Sequence, residues 1–263
     1  MPDVGDAVDE LTAARRIARD ERRRTERLQG GFDGFRRVAA ETETTDLGGV
    51  DAGTHPSSAG WTTSASTTAG GCRRVRAAFE ELVLPHVDDA SRDVHAAIAA
   101  ELSGEVAVAL ASGGGGNRYT EPLRRAVLDC VDQRLAESRV MLRVLERELS
   151  SLDDAIEALK TVASSLPSVE KSALLLCDDA ELWERRCQSA ALETDLEDAI
   201  ETRQSTLESV TASDVKAGIR HDTVVEYLFG DRDTTYPALD ALLCGVRECR
   251  RRRDALDDAL ADE

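Results

Sequence analysis

The sequence predicts an all-α protein, built as a long antiparallel coiled-coil helical hairpin on a small helical base formed by flanking helices. The first observation is the interval 120–166, where apolar residues recur at alternating steps of three and four. Such a 3.5-residue period, held for more than five heptads, is typical of a helix that packs along a partner helix. The second is that aromatic residues make up only 3% of the chain, which favours a helical bundle over a large globular core.

The first long helix has clear predicted ends. Thr120 is placed to cap it, Pro122 falls in its first turn, and Pro167 stops it. Only Ser138 interrupts the apolar series along the helix. The predicted coiled-coil seam consists of Leu128, Val131, Leu135, Leu142, Leu145, Leu149, Leu152, Ile156 and Leu159.

A second long helix is predicted at 168–211. Because little more than one proline separates it from the first, the two helices are expected to be antiparallel neighbours. Small residues such as Cys187 and Ala190 are expected to face the first helix, opposite Leu145 and Leu149. Large side chains opposite small ones favour this hairpin over self-pairing of either helix.

The rest of the chain divides by composition. Residues 42–71 are rich in Gly, Ser and Thr and nearly lack aliphatic residues, so they are predicted to be a disordered linker. The predicted domains are an Arg-rich N-terminal helix at 1–41, the linker at 42–71 and a helical domain at 72–263, the last divided into base helices at 72–112, the hairpin at 120–166 and 168–211, and C-terminal helices at 221–262.

The N-terminal helix carries nine arginines within residues 15–37 and a local excess of five positive charges. One interpretation is a phosphate-binding arm in which Arg22, Arg23 and Arg24 contact nucleic acid. The other is a solvated helix stabilised by opposite charges four residues apart. In a cytoplasm of molar salt, five released counterions would cost about six decades of affinity over a twentyfold rise in salt. Nucleic acid is therefore the less favoured partner.

The charge composition indicates the kind of organism from which the chain comes. The formal net charge is -18, from 51 acidic and 33 basic residues, and only three of the basic residues are lysines. This carboxylate excess with arginine in place of lysine predicts a salt-accumulating organism, although an ordinary acidic protein remains the alternative. No signal-peptide pattern and no apolar run near about 18 residues is present, so we expect a cytoplasmic protein that is not in the membrane.

No recognisable chemical motif emerges from the cysteines and histidines. The six cysteines contain no CxxC pair, and the four histidines lie far from any zinc-like spacing. No Ser/His/Asp or Cys/His arrangement can be identified by spacing, so no enzyme activity, metal or cofactor is predicted. The cysteines are expected to be small buried apolar side chains, at Cys72, Cys130, Cys177, Cys187, Cys244 and Cys249.

Two C-terminal segments suggest a family. The sequences VVEYLFGD at 224–231 and TYPAL at 235–239 resemble the C-terminal element of a domain-of-unknown-function family of haloarchaeal helical proteins. The run RRVRAAFEELVLPH at 73–86 resembles that family's upstream helix, and RELSSLDDAIEAL at 147–159 resembles its central coil. Val87 departs from the pattern, where an aromatic residue would follow the histidine. The resemblance implies an all-helical fold and a haloarchaeal source, and it implies no activity.

These observations predict a non-enzymatic helical scaffold or interaction protein. Its partner is expected to be an unidentified protein or a second copy of the chain, with the chain itself a monomer or homodimer. The alternative hypothesis is a nucleic-acid-associated regulator that uses the Arg-rich N-terminal helix. A third, an enzyme with an unrecognised site, has no motif in its favour.

Overall fold

The structure, a computed structural model, describes residues 3–45, 70–87, 93–111, 118–166, 169 and 177–261. This part of the chain is helical and contains no strand, which confirms the predicted all-α fold. A 3₁₀ turn lies at Leu84–His86. The α-helices are α1 (Val4–Glu41), α2 (Gly70–Leu82), α3 (Val94–Glu101), α4 (Gly104–Leu110), α5 (Glu121–Ser165), α6 (Asp179–Glu208), α7 (Ala212–Ala217), α8 (His221–Phe229) and α9 (Pro237–Ala261).

The chain forms two compact units, to which α1 and α5 both contribute. The terminal unit comprises Met1–Arg22 and Val140–Glu263, and the central unit comprises Arg23–Arg139. Residues of α1 share a hydrophobic core with residues of α5 in each unit. In the terminal unit the α1–α5 contact includes an ion pair between Arg15 and Asp153.

One hydrophobic core holds the terminal unit together, with side chains from α1, α5, α6, α8 and α9. The α1 residues in it follow helical spacing, which places them on one face. Each fully buried leucine or phenylalanine contributes about 1.5–3 kcal/mol by leaving water. The completely buried members include Leu11, Ala14, Ala18, Leu152, Leu159, Leu196, Phe229, Ala238 and Cys249.

Helices α5 and α6 run antiparallel within the terminal unit. Arg203 of α6 contacts Glu148 of α5, and Leu196 meets Leu159 further along α5, where both lie beside Gly245 of α9. Residue numbers thus rise along α5 as they fall along α6.

The predicted register of this pair is wrong. Residues near Glu148 face the neighbourhood of Arg203, and Cys187 is exposed rather than packed opposite Leu145. The register differs because α6 begins later in the chain than expected.

The start of α6 explains this shift. The predicted second helix at 168–211 is not continuous, because Cys177 and Asp178 are not helical. Asp178 is the N-cap of α6 and accepts a hydrogen bond of 2.9 Å from the backbone N–H of Glu181, which satisfies one of the donors left open at a helix start. Residues 167–168 and 170–176 lie outside the described part of the chain.

The central unit has its own core, made by α1, α2, α3, α4 and the N-terminal part of α5. Phe32 and Phe35 of α1 are fully buried in it, and the rings of Phe35 and Phe79 pack edge to face at 5.5 Å. The buried Tyr119 hydroxyl donates a hydrogen bond of 3.0 Å to the carbonyl oxygen of Ala39. This hydrogen bond ties the segment before α5 to the end of α1.

The ends of the predicted linker at 42–71 are structured. Thr42 is buried, and the backbone N–H of Thr45 donates a hydrogen bond of 2.8 Å to the carbonyl oxygen of Tyr119. Gly70 and Gly71 already belong to α2. The remainder of this predicted linker, residues 46–69, lies outside the described part of the chain.

Candidate functional site

Two adjacent residues of α5, Arg147 and Glu148, hold the chain that runs from α6 through α7 to α8. Glu148 binds side chains from α6 and α8, whereas Arg147 binds the N-terminal end of α7. Neighbouring helical positions point about 100° apart, so the two side chains reach different segments. The middle of α5 is therefore the anchor of this part of the terminal unit.

The Glu148 carboxylate is the centre of a buried ion cluster. Arg203 donates to it from both terminal nitrogens, at 2.7 and 3.0 Å, in the bidentate geometry that suits a guanidinium and a carboxylate. The His221 Nε2 atom lies 2.8 Å from Glu148 Oε2. Arg203 also donates to Ser151 Oγ at 3.0 Å. The side chains of Glu148, Arg203 and His221 are at most 2% exposed, so we call these three residues the sealed cluster.

Charge compensation keeps Glu148 ionised in this environment. Burial acts to raise the pKa of its carboxyl, but the His221 hydrogen bond and the Arg203 charge outweigh burial and hold that pKa below its ordinary value. An ionised Glu148 is an acceptor only, so His221 Nε2 carries the proton in their hydrogen bond. The other ring nitrogen, Nδ1, is buried with no hydrogen-bond partner in the described part of the chain.

Arg147 fixes the start of α7 through Asp214. Its Nη2 donates to Asp214 Oδ2 at 2.9 Å, and the side chain of Asp214 is only 1% exposed. Asp214 also completes a capping box with Thr211, in which each side chain accepts a hydrogen bond from the other residue's backbone N–H. Burial acts to raise the pKa of Asp214, but the hydrogen bonds from Thr211 and Arg147 outweigh it and lower that pKa.

An open polar groove runs between α5 and α6 beside the sealed cluster. Its volume is about 610 Å³, and hydroxyl side chains dominate its walls. Ser151 belongs to both features, because it lines the groove and accepts from buried Arg203. The lining residues are Arg147, Ser150, Ser151, Asp154, Glu201, Thr202, Ser205, Thr206 and Ser209.

A second hollow extends the groove along the same two helices and shares Asp154 with it. This part measures about 320 Å³ and has a more apolar floor, to which Val162, Leu192 and Leu196 contribute. Together we call the two hollows the α5–α6 groove. Small side chains such as Ser150 and Ala158 form part of its α5 wall.

The chemistry available differs between the two features. The sealed cluster is at most 2% exposed, so it presents almost no surface to a substrate, and its charges are paired with one another. The α5–α6 groove presents hydroxyls, carboxylates and an apolar floor to solvent, which suits the binding of a polar or amphipathic surface. No group of three or more His, Cys, Asp or Glu side chains in the described ranges is arranged to hold a metal ion.

The predicted seam residues of α5 are spread over three hydrophobic clusters. Leu128, Val131 and Leu135 belong to the central-unit core, Leu145 packs beside Val224, and the later positions belong to the terminal-unit core. The seam therefore serves several helices instead of one partner. The buried seam residues are Val131, Leu135, Leu145, Leu152, Ile156 and Leu159, and the half-buried seam residues are Leu128, Leu142 and Leu149.

The arginines proposed to contact nucleic acid lie within α1. Arg23 is exposed, whereas Arg22 and Arg24 are half-buried. All three take part in interactions within the protein. Further along α1, Arg36 donates a hydrogen bond of 2.6 Å to Asp132. The positive charge of Arg36 is therefore also paired within the protein.

The six cysteines are not all buried apolar side chains. Cys72, Cys244 and Cys249 are buried, and burial raises the pKa of the Cys249 thiol to about 11. Cys130 and Cys177 are half-buried, however, and Cys187 is exposed. For Cys187 the expectation of a buried side chain is wrong, because the shifted start of α6 turns that position outward.

The sealed cluster and the α5–α6 groove were missed by the sequence reasoning. A signal for the cluster does exist, since buried α6 residues recur at seven-residue intervals through Leu182, Ser189, Leu196 and Arg203. An arginine at the same seven-residue spacing as buried leucines is expected to be buried as well. A buried guanidinium group needs a carboxylate partner. Glu148, next to the seam position Leu149, is that carboxylate.

The fold and the site define an all-α protein in which an internal ion cluster joins three helices beside an open groove. The chain belongs to a family described as a domain of unknown function, DUF7260, whose model matches residues 9–253. No curated protein and no solved structure matches the chain. None of the helices in the described ranges combines the length and apolar character needed to cross a membrane.

Proposed function

We propose that this protein is a non-enzymatic helical interaction protein that binds a protein partner. The observation that carries the proposal is the α5–α6 groove, a solvent-accessible concavity on two long, well-anchored helices. The sealed cluster stabilises this groove, because the hydrogen bonds between Glu148 and Arg203 join the two helices that form its walls. In this view the buried charges position a binding surface and do not act on a substrate.

The alternative function, a nucleic-acid-associated regulator, has less support. Arg15 and Arg36 of α1 are paired with carboxylates of α5, and Arg22 to Arg24 have interactions of their own. Phosphate binding needs guanidinium groups that can exchange their counterions for a nucleic-acid backbone. Internal pairing reduces that capacity.

We also infer a salt-rich cytoplasm of a haloarchaeal organism as the setting. The net charge of -18 and the scarcity of lysine support this inference, and so does the resemblance of the VVEYLFGD and TYPAL segments to haloarchaeal proteins. The partner would then have to bind under molar salt, where contacts between closely packed groups persist better than long-range attraction.

The proposal is tested by capturing the tagged full chain from a lysate kept at its native salt concentration. We expect one protein to be recovered with the chain in near-stoichiometric amount, without nucleic acid in its absorbance spectrum. A Glu148→Leu variant, which disrupts the support of the groove walls, should recover much less of that protein. Recovery of nuclease-sensitive nucleic acid, equally with both forms, would contradict the proposal and favour the regulator.

A further inference from the structure

Four carboxylates line the α5–α6 groove from its two sides. Asp154 and Glu157 stand on α5, and Asp195 and Glu201 stand on α6. None of the four forms an ion pair or a side-chain hydrogen bond with any described residue. All four side chains are exposed, so the groove presents an excess of negative charge to anything that binds in it.

Other carboxylates of α6 show what charge compensation looks like in the same helix. There Glu193 is bound by Arg250 and Arg253 of α9, and Glu197 is bound by Arg250 at 2.7 Å. The α6 carboxylates that face α9 are thus matched by arginines, whereas those that face the groove are not. Arg147 also lines the groove, but it is paired with buried Asp214, so no described arginine or lysine pairs with the four groove carboxylates.

The length of the groove suits an α-helix of about four turns. Its lining extends on α5 from Arg147 to Val162, which corresponds to about 22 Å along the helix axis, or about four turns. Small residues at Ser150 and Ala158 allow a partner backbone to approach closely, as in helix packing generally. The apolar part of the floor offers a narrow strip against which small aliphatic side chains can pack.

We propose that the α5–α6 groove docks an amphipathic helix of a partner protein. That helix carries arginine or lysine on both flanks of a narrow stripe of small aliphatic residues. The inference rests on the proposed interaction function and names the surface and the chemical class of the partner. Its flanking cations neutralise Asp154 and Glu157 on one side and Asp195 and Glu201 on the other, and its stripe covers the apolar floor.

The test uses the full chain and a displayed library of 16-residue helical peptides. Stripe positions vary among Ala, Val and Leu, and flanking positions vary among Arg, Lys, Gln and Glu. Selection is carried out at 0.15 M and 2 M KCl, concentrations that bracket weak and strong screening, of about 8 Å and less than 3 Å. We expect peptides with cationic flanks on both sides of the stripe to be enriched at both salt concentrations.

The role of charge is tested by removing it at constant shape. The variant with Asp154→Asn, Glu157→Gln, Asp195→Asn and Glu201→Gln should bind the best selected peptide at least about tenfold more weakly in fluorescence anisotropy. A control variant removes the same number of charges from exposed sites outside the groove lining, namely Glu10→Gln, Glu146→Gln, Glu184→Gln and Asp258→Asn. This control should bind within about threefold of the wild-type chain.

The role of the concavity is tested separately. Ser205→Phe, which fills part of the groove and leaves all four carboxylates in place, should also weaken binding at least about tenfold. Gln188→Phe places the same side chain on an exposed α6 site outside the groove lining and should have little effect. Circular dichroism confirms that each variant remains helical before its affinity is compared.

Several results would overturn the proposal. These are failure to enrich any peptide, enrichment of peptides without cationic flanks, and equal binding by the groove and control variants. Binding of Mg²⁺ or Ca²⁺ in place of peptide would make the groove a cation site, and a dimer lost in the groove variant would make it a self-association surface. If the peptide experiments give one of these results while native-salt capture still recovers a partner protein, the proposed docking site is wrong and the proposed interaction function stands.

Discussion

Arg203 of α6 donates two hydrogen bonds to Glu148 of α5, at 2.7 and 3.0 Å, and neither side chain is more than 2% exposed. The same carboxylate lies 2.8 Å from His221, the first residue of α8. Three helices therefore meet at one anion. Because a buried charge is costly without its partners, each member of this cluster depends on the other two.

The first prediction concerns the loss of one partner. Glu148→Leu leaves the Arg203 guanidinium buried without a counter-charge, so the free energy of unfolding should fall by about 3–5 kcal/mol. The double variant with Arg203→Leu should recover part of that loss, since no charge is then stranded. Urea unfolding monitored by circular dichroism measures both values.

An exposed ion pair provides the control for this prediction. Arg251→Ala removes a side chain that is 67% exposed and paired with Glu248, so it should change the free energy of unfolding by less than about 1 kcal/mol. A loss at Glu148 no larger than the loss at Arg251 would show that the sealed cluster is not buried as described.

The second prediction is a dependence of stability on pH. The pKa of Glu148 lies below its usual 4.5 in the folded protein, so the unfolded state binds protons first as the pH falls. The stability that this carboxylate provides is present above about pH 4.5 and is lost as the pH falls through the folded pKa. Asp214 acts in the same direction from its usual 3.8. Unfolding free energies measured between pH 7 and 3 should therefore fall less steeply for Glu148→Gln than for the wild-type chain, and parallel curves would contradict the account.

The third prediction compares two adjacent glycines of α1. A methyl group at Gly31 would overlap the backbone carbonyl of Leu82 in α2, which cannot move without shifting that helix. At Gly30 nothing lies within 4 Å of the added methyl group. Gly31→Ala should therefore lower the thermal midpoint, at a cost of about 1–3 kcal/mol, while Gly30→Ala should raise stability by up to about 1 kcal/mol through helix propensity. Equal effects would mean that α2 does not approach α1 as closely as the structure shows.

The fourth prediction separates two leucines of the predicted seam. Leu145 is fully buried, whereas Leu142, three residues earlier, is only half-buried. Leu145→Ala should cost about 2–5 kcal/mol because it leaves a cavity in a packed cluster. Leu142→Ala should cost clearly less, and chemical denaturation of both variants gives the comparison. The reverse order would indicate that α5 is rotated about its axis relative to its neighbours.

The all-α class was predictable because it depends on periodicity, which is local. The period of α5 placed Leu145, Leu152 and Leu159 correctly on an apolar face. The register of α6 was not predictable in this way, since it depends on where the chain between the two helices ends. Asp178 carries that information as an N-cap, but a capping side chain is only one of many Asp and Ser residues in such a sequence.

The candidate site was harder to predict because it joins residues distant in sequence. Glu148, Arg203 and His221 come from three helices, and their spacing along the chain has no motif. In a chain with 51 acidic residues, a single buried glutamate cannot be distinguished by composition. The α5–α6 groove is likewise defined by side chains that are small at facing positions, which becomes apparent only once the register is known.

The most direct measurement of the central claim, that the chain binds a protein partner through the α5–α6 groove, is site-specific photo-crosslinking. A photoreactive phenylalanine analogue is placed at Thr161, an exposed residue of the groove lining, or at Gln188 outside that lining, and the tagged chain is irradiated in a native-salt lysate. We expect one prominent adduct from position 161, whose crosslinked peptide is helical, cationic and from another protein, and little adduct from position 188. Adducts of equal yield from both positions, or from position 188 alone, would contradict that claim.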